Sequence, residues 1–281
     1  MSRSGALRLL GIGRAAVDVV AVDGQGRMDP TALAAALAAG RGPAIVCAQA
    51  GNVNTGAIDP LADVVAAARE HAAWVHVDGA FGLWAAASPA LASLGAGAAD
   101  ADSWATDAHK WLNVPYDCGV VAVRDAAAHT AAMGMTAAYL VQGGDSLRSN
   151  SDWVPEASRR ARGFAVYAAL RSLGRRGVAE LVERTCALAR RLAARVEGED
   201  GVEVLNEVAL NQVLLRFGDD DATTDAVVAA VQADGTCWAG GTRWQGRAAM
   251  RVSVSNWSTT DADIDRSAEA IVRSAASLAA A

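Results

Sequence analysis

The 281-residue chain is 52% hydrophobic and contains no apolar stretch of membrane-spanning length that lacks a charge, so it is predicted to be a cytoplasmic protein with one large core or two smaller ones. Its 25 basic and 31 acidic side chains give a formal net charge of −6, which provides no basic face for nucleic acid and argues against that class of partner. The four cysteines form no CxxC pair and there are only four histidines, so no metal site is predicted.

Strands and helices are predicted to alternate along the first part of the chain. The periodicity and the turn residues favour the end of a helix at 5–11, helices at 30–40 and 59–71, and strands at 17–22, 43–50, 74–77, 102–105 and 119–123. This alternation implies right-handed crossovers and a mainly parallel sheet. Functional side chains of such sheets collect at the carboxyl ends of strands, and Asn52, Asp78 and Lys110 each follow a strand.

The pattern changes after Pro155. A long helix is predicted from there to residue 173, interrupted by Gly174 and Gly177, and a second helix continues to residue 196. The remainder favours strands at 202–205, 212–217 and 249–254, and helices at 224–233 and from 261 onwards. The sequence therefore predicts an α/β chain with a larger domain at 1–150 and a smaller α/β domain at 151–281.

Lys110 is distinguished by composition alone. Of the 25 basic residues it is the one lysine, and the other 24 are arginines (25 − 1). A guanidinium stays protonated and is a poor nucleophile, whereas a buried amine can lose its proton and condense with a carbonyl group. The alternative is a surface lysine retained by chance.

Asp78 gives this lysine a chemical context. If the carbonyl belongs to pyridoxal phosphate, a carboxylate at a strand end can hold a proton on the ring nitrogen, and the small residues Gly79 and Ala80 leave room for a flat ring. An ordinary strand-end carboxylate is the alternative for Asp78.

Four polar residues join this candidate site, each with a simpler alternative role. His109 is suited to contact a phosphate or a ring substituent, although a lone histidine is often structural. Ser103 and Thr106 carry hydroxyls that can donate to phosphate oxygens, although polar residues are common in strands. Asn52 can reach a ring hydroxyl, although an Asn in a glycine-rich loop usually forms the turn.

These motifs, in this order, resemble those of the group II pyridoxal-phosphate-dependent amino acid decarboxylases, which include the aromatic amino acid, glutamate and diaminobutyrate decarboxylases. The resemblance rests on Val-His-Val-Asp-Gly-Ala-Phe-Gly at 75–82, on Asp102-Ser103, on His109-Lys110-Trp111 and on the loop at 50–60, where Asn52 stands at a position that is Thr in many members. It continues through 158–160 to 250–253 and so covers nearly the whole chain. It implies a fold-type I transferase-like structure, a pyridoxal 5'-phosphate cofactor, an amino acid substrate and a homodimer.

The resemblance also assigns roles to two further residues. Tyr139 matches a loop tyrosine that protonates the substrate carbon after carbon dioxide leaves, and an anchoring aromatic is its alternative. Arg251 matches an arginine near the active site and is a candidate for the substrate carboxylate, with an ion-pair role as its alternative. Family members carry a long segment before the point that matches Gly5. That segment takes part in dimerisation and phosphate binding, and it contains the histidine that stacks on the cofactor ring.

The expected function is decarboxylation of an L-amino acid to an amine and carbon dioxide through a Schiff base on Lys110. One alternative is another fold-type I reaction such as transamination, in which Lys110 moves the proton without a loop tyrosine. The other is an inactive, N-terminally truncated remnant that requires a separate N-terminal half.

Overall fold

The described residues form two sheets, and the first of them has four strands and is mainly parallel. The computed structural model describes residues 3–40, 42–134, 149–156 and 158–279. The strands are β1 (Ile45–Gln49), β2 (Trp74–Asp78), β3 (Ser103–Asp107) and β4 (Gly119–Val123), in the order β1-β2-β3-β4. Strands β1, β2 and β3 run parallel, and β4 pairs antiparallel with β3. The predicted mainly parallel sheet is confirmed.

Helices cover one face of this sheet. The chain begins with the short helix α1 (Arg3–Leu9). Helices α2 (Pro30–Ala39) and α3 (Leu61–Glu70) pack on the sheet, and α4 (Ala126–Met133) follows β4. The Asp29 side chain caps α2 by accepting the Thr31 and Ala32 N–H groups. Alternate strand residues face these helices, so the core beneath α2 and α3 is a cluster of small and β-branched side chains that includes Val46, Ala48, Val75, Val77, Leu61 and Val64.

The opposite face of the same sheet is open. A cavity of about 740 Å³ lies there, lined in part by Ile45, Cys47, Trp74, His76 and Ser103, and 65% of Ile45 is exposed. Parallel sheets usually have both faces covered, because both are apolar. In the part of the chain that the structure describes, this face instead borders an open cavity, where Ile45 is exposed and Cys47, Trp74 and His76 are half-buried.

The second sheet is antiparallel. Its strands are β5 (Val202–Val204), β6 (Gln212–Phe217), β7 (Gly240–Trp244) and β8 (Arg247–Ser253), in the order β5-β6-β8-β7. Helices α5 (Gly163–Val196), α6 (Asp221–Asp234) and α7 (Asp261–Ala279) contribute to the core of this region. Helix α5 is kinked at Gly174, whose φ of 63° and ψ of −177° are not helical, and this break agrees with the sequence prediction.

Four elements differ from their sequence predictions, and one of them is α4, which the sequence prediction omits. Residues 17–22 are not a strand: Val19 is 92% exposed, and only Val22 forms an isolated bridge, to Met28. Helix α5 begins at Gly163 rather than near Pro155. Strand β7 is absent from the sequence prediction, because Gly-Gly-Thr-Arg-Trp lacks an apolar alternation. It forms as one arm of a hairpin with β8, whose turn places Gln245 and Gly246 at positive φ.

The loop at 51–56 lies between the two sheets. Asn206 donates to the Thr55 carbonyl at 2.8 Å, and Arg251 Nη1 donates to the Val53 carbonyl at 3.2 Å. Farther along, the buried Trp111 Nε1 donates to Thr185 Oγ1 at 2.8 Å. These bonds fix the end of the first sheet against the C-terminal region. The division at residue 150 stays a prediction.

Among the described residues, no helix is both long and apolar enough to cross a membrane.

Asp102 links β2 to α3 just before β3 begins. Its Oδ2 accepts the Val75 N–H at 2.8 Å, and its Oδ1 pairs with Arg69 Nη1 at 2.9 Å. Burial acts to raise the pKa of Asp102, but the Val75 N–H and the Arg69 and Arg124 guanidinium groups together lower it below its ordinary value. The charged form is therefore the one that stabilises the fold.

We expect the D102N substitution to lower the free energy of unfolding by about 1.5–3 kcal/mol at neutral pH, the usual contribution of hydrogen bonds to a charged group. Because the folded pKa is depressed, this contribution is present above the ordinary value of 3.8 and is lost as the pH falls through the folded value. Urea titrations of both proteins at pH 7 and in the acid range test this. D100N is the matched control, because Arg69 binds the Asp100 carbonyl rather than its carboxylate. Equal effects of D102N and D100N at pH 7 would contradict it.

Candidate active site

Strands β2 and β3 end side by side in carboxylates. Asp78 is the last residue of β2 and Asp107 the last of β3. Two backbone bonds hold the segments that follow: Gly79 N–H donates to the Ala105 carbonyl at 2.9 Å, and Asp107 N–H donates to the Ala80 carbonyl at 2.9 Å. The carboxyl ends of the two strands therefore form one rigid edge.

Lys110 lies on the turn that leaves β3. Its N–H donates to the Asp107 carbonyl at 3.2 Å, and its Nζ forms an ion pair with Asp107 Oδ2 at 2.9 Å. The side chain is 42% exposed, while the next residue, Trp111, is almost fully buried and bonded to Thr185. The buried tryptophan anchors the turn, so that the amine projects from a fixed base.

Asp78, which ends the neighbouring strand β2, and Ala80, two residues farther along, lie next to this turn. Asp78 is half-buried, and its Oδ1 accepts the Ala80 N–H at 3.2 Å. Ala80 is half-buried as well, and its methyl group occupies little space. The absence of a side chain at Gly79 has a packing reason instead, because a Cβ there would lie 2.1 Å from Leu83 Cγ. The small size of Gly79 thus serves packing against Leu83, and Ala80 is the small residue that stays a candidate for contact with a flat ring.

His109 lies against the start of β4. Its Nδ1 is 2.9 Å from the Cys118 carbonyl oxygen and 3.0 Å from the Cys118 backbone nitrogen, and its Nε2 is 3.9 Å from Asp107 Oδ2. The imidazole ring packs against Tyr116, with 4.2 Å between the ring centroids. His109, Lys110 and Asp107 thus form one polar cluster.

The structure does not bring Ser103 to this cluster. Ser103 begins β3, four residues or about 13 Å before Asp107 along the strand. Its hydroxyl accepts Trp74 Nε1–H at 2.9 Å and lies 2.9 Å from His76 Nδ1. It therefore belongs to the open face of the sheet. The buried Thr106 hydroxyl has no hydrogen-bond partner among the described residues.

The Asn52 side chain forms its hydrogen bonds with residues of its own loop and of the strand before it. Its Oδ1 accepts the Asn54 and Thr55 N–H groups at 2.9 and 3.3 Å, and its Nδ2 donates to Gln49 Oε1 at 3.2 Å. These bonds match the alternative role of Asn52 in the sequence analysis, which is to form the turn. Gln49 pairs with Asp78 in the sheet, so the loop still begins beside the site.

Arg251 and Tyr139 complete the sequence-predicted set. Arg251 reaches the loop at 51–56 through the Val53 carbonyl, and it forms no ion pair with a carboxylate of the described residues. It thus stands at the carboxyl edge of the first sheet, one loop away from Asp78. Tyr139 lies outside the described residues.

Asp107 is a site residue that the sequence prediction omits. A carboxylate three residues before the only lysine is a usable signal, because a turn places residues i and i+3 close together. The structure makes it the ion-pair partner of Lys110.

An amine and two carboxylates lie at adjoining strand ends of a mainly parallel sheet, and a four-stranded antiparallel sheet follows along the chain, which is the α/β arrangement of the fold-type I class. The chain belongs to the pyridoxal-dependent decarboxylase family: the model of the pyridoxal-dependent decarboxylase conserved domain matches residues 4–217.

Curated relatives are similar over part of their length. The chain is 35% identical over 187 residues to a tyrosine decarboxylase of Oryza sativa subsp. japonica, and 33% identical over 217 residues to the L-2,4-diaminobutyrate decarboxylase of Rhizobium meliloti (strain 1021). These matches cover 63% and 74% of this chain but only 35% and 43% of the relatives.

Solved structures share the fold. Oryza sativa TDC with PLP and tryptamine superposes with a TM-score of 0.89 at 25% identity, over 97% of this chain and 60% of that one. Mouse CSAD gives a TM-score of 0.87 at 24% identity, over 97% and 61%. The chain therefore spans less than two thirds of the relatives that it matches.

Proposed function

We propose that this chain takes part in the pyridoxal-phosphate-dependent decarboxylation of an amino acid, which gives an amine and carbon dioxide. One observation carries the proposal: the single lysine places its amine beside the ends of β2 and β3, on the edge where Asp78 and Asp107 lie. Family membership and the fold support it.

The residues of this edge fit the cofactor chemically. The aldehyde requires a primary amine, and Lys110 is partly exposed at the end of its turn. The ring nitrogen requires a carboxylate, and Asp78 is half-buried on the adjacent strand end. Ala80 presents only a methyl group beside Asp78, and the His109 imidazole offers a polar contact near Asp107, the ion-pair partner of Lys110. Lys110, Asp78, Ala80 and His109 would hold the group, and Asn52 and Ser103 remain outlying candidates.

When bound, pyridoxal phosphate supplies an electron sink for the bond that breaks at the substrate α-carbon. The protein's part is to orient the reacting groups and to manage protons. Lys110 would hold the group through its primary amine, and Asp78 would hold a proton at the ring nitrogen through its negative charge. Asp107 lies 2.9 Å from Lys110 Nζ and keeps that amine directed along the edge of the sheet. We assign to Tyr139 the return of a proton to the α-carbon, and to Arg251 a contact with the substrate carboxylate.

The open face of the first sheet bears on which further polypeptide segment the chain needs. An uncovered apolar face of a parallel sheet is unfavourable in water. The relatives are longer than this chain, so we propose that a further N-terminal segment, in the same chain or in a separate one, covers this face and completes the phosphate site. The assembled protein would be a cytoplasmic homodimer.

Cofactor titration tests this proposal. We expect residues 1–281 alone to bind pyridoxal phosphate weakly, and the N-terminal segment of a family member, supplied in cis or as a second chain, to restore visible absorbance and turnover. Product analysis with aromatic, acidic and diamino L-amino acids should then give an amine and carbon dioxide. Tight binding and turnover by the lone chain would contradict the need for the segment, and a keto acid product would contradict decarboxylation.

A further inference from the structure

The His109 ring meets both polar groups of one backbone residue. Nδ1 lies 3.0 Å from the Cys118 nitrogen and 2.9 Å from the Cys118 carbonyl oxygen. A neutral imidazole nitrogen either donates or accepts, so these two contacts cannot both be hydrogen bonds in one tautomer. The tautomer of His109 depends on which of them forms.

The backbone groups of Cys118 decide between the two contacts. Its carbonyl already accepts the Ala108 N–H at 3.0 Å. Among the described residues, the acceptor for the Cys118 N–H is Nδ1 of His109. Cys118 is only 3% exposed, so water does not readily replace that acceptor. A buried N–H without an acceptor is costly, whereas a carbonyl that already accepts one bond is satisfied. Nδ1 is therefore the acceptor, and the ring proton resides on Nε2.

The other side of the ring agrees with this assignment. Nε2 lies 3.9 Å from Asp107 Oδ2, the oxygen that also binds Lys110 Nζ. An N–H directed toward a carboxylate is favourable, and a bare lone pair there is not. Tyr116 covers one side of the ring and limits its rotation. His109 thus directs a donor toward the group that holds Lys110.

Arg160 holds the peptide that donates to His109. Its Nη2 donates to the Asp117 carbonyl at 3.0 Å and to the Tyr116 carbonyl at 2.7 Å. The C=O of Asp117 and the N–H of Cys118 belong to one planar peptide unit and point in opposite directions. Holding the carbonyl on the Arg160 side therefore directs the N–H to the His109 side.

Arg162 secures the same segment through the Asp117 side chain. Its Nε and Nη2 donate to the two carboxylate oxygens at 3.1 and 2.9 Å. The Arg162 hydrogen bond is the main cause that lowers the pKa of Asp117 to about 2. The carboxylate is therefore charged across the neutral range, and the pairing persists there.

We propose that Arg160 is a positioning residue for His109. By holding the Asp117–Cys118 peptide it keeps the imidazole in the Nε2–H tautomer, and the ring then presents a hydrogen-bond donor to an anionic oxygen beside Lys110. In the chain itself this oxygen is Asp107 Oδ2. That the same donor also serves an oxygen of bound pyridoxal phosphate rests on the proposed function. The tautomer itself does not, because the protein alone determines it.

Nitrogen-15 NMR of the imidazole side chains, recorded without cofactor, tests the proposal. The chain has four histidines, and the H109Q variant identifies the His109 signals. We expect His109 as the Nε2–H tautomer in the unaltered chain. In R160Q we expect its population relative to the Nδ1–H form to fall about threefold to tenfold, the equivalent of losing one hydrogen bond. R160K should retain part of the effect.

R159Q is the matched control, because Arg159 binds the Glu156 and Asn150 carbonyls and not residues 116–118. Arg160 is 54% exposed, so its replacement should leave the fold intact, which circular dichroism checks. An Nδ1–H tautomer in the unaltered chain, no change in R160Q, or an equal change in R159Q would each overturn the proposal. None of these results depends on whether pyridoxal phosphate binds, so the proposed function can fail independently.

Discussion

Replacing Lys110 with arginine is expected to abolish covalent capture of pyridoxal phosphate by this chain. A guanidinium does not condense with the aldehyde under these conditions, and no other lysine is present. After borohydride reduction with the cofactor, peptide mapping of the unaltered chain should place the label on Lys110, with the N-terminal amine as the one competitor. In K110R the internal label should disappear.

The control is the double variant K110R/R176K, which restores one lysine at an arginine that is 92% exposed on α5. It preserves composition and charge and moves only the amine. If this variant were labelled at residue 176 as strongly as the unaltered chain is at residue 110, labelling would reflect a reactive amine and not a site. Persistent internal label in K110R would remove Lys110 from the proposed chemistry.

The second large effect is expected for Asp78→Asn. In the protein completed by its N-terminal segment, we expect turnover to fall about a thousandfold or more, equivalent to about 4 kcal/mol, with a smaller loss of cofactor affinity. The amide has nearly the same shape, but it lacks the negative charge that holds a proton at the ring nitrogen. Steady-state rates and cofactor titrations on the same samples separate the two effects.

D63N is the control for this substitution, because Asp63 is an exposed residue in the first turn of α3 and is not part of the candidate site. D63N should change neither turnover nor cofactor affinity. Near-normal turnover in D78N would mean that the ring nitrogen lies elsewhere. A loss of cofactor affinity without a loss of turnover would mean that Asp78 contributes to cofactor binding and not to catalysis.

The strand ends are the predictable part of this molecule. β-branched runs followed by polar residues indicate buried parallel strands, and parallel strands bring their carboxyl ends to one edge. This rule suffices to predict from the amino-acid sequence that Asp78 and Lys110 lie at the same edge. The Gly174 break in α5 is equally predictable, because glycine tolerates a positive φ there.

Other features depend on tertiary contacts that no local pattern contains. Ser103 is a polar strand residue like many others, and only its position at the start of β3 separates it from Lys110. The capture of Asn52 by its own loop and the pairing of Asp107 with Lys110 are choices among several possible partners. Strand β7 exists because β8 pairs with it, and a sequence of two glycines and an arginine does not reveal that.

The open face of the first sheet has a thermodynamic consequence. Burying apolar surface lowers the heat capacity, and its driving force near room temperature is mainly entropic. Association of any segment with Ile45, Cys47 and Trp74 would therefore release little heat at 25 °C and more heat on warming. The same dependence weakens such an association in the cold. An assembly held together at this face would be less firmly joined on ice than at ambient temperature.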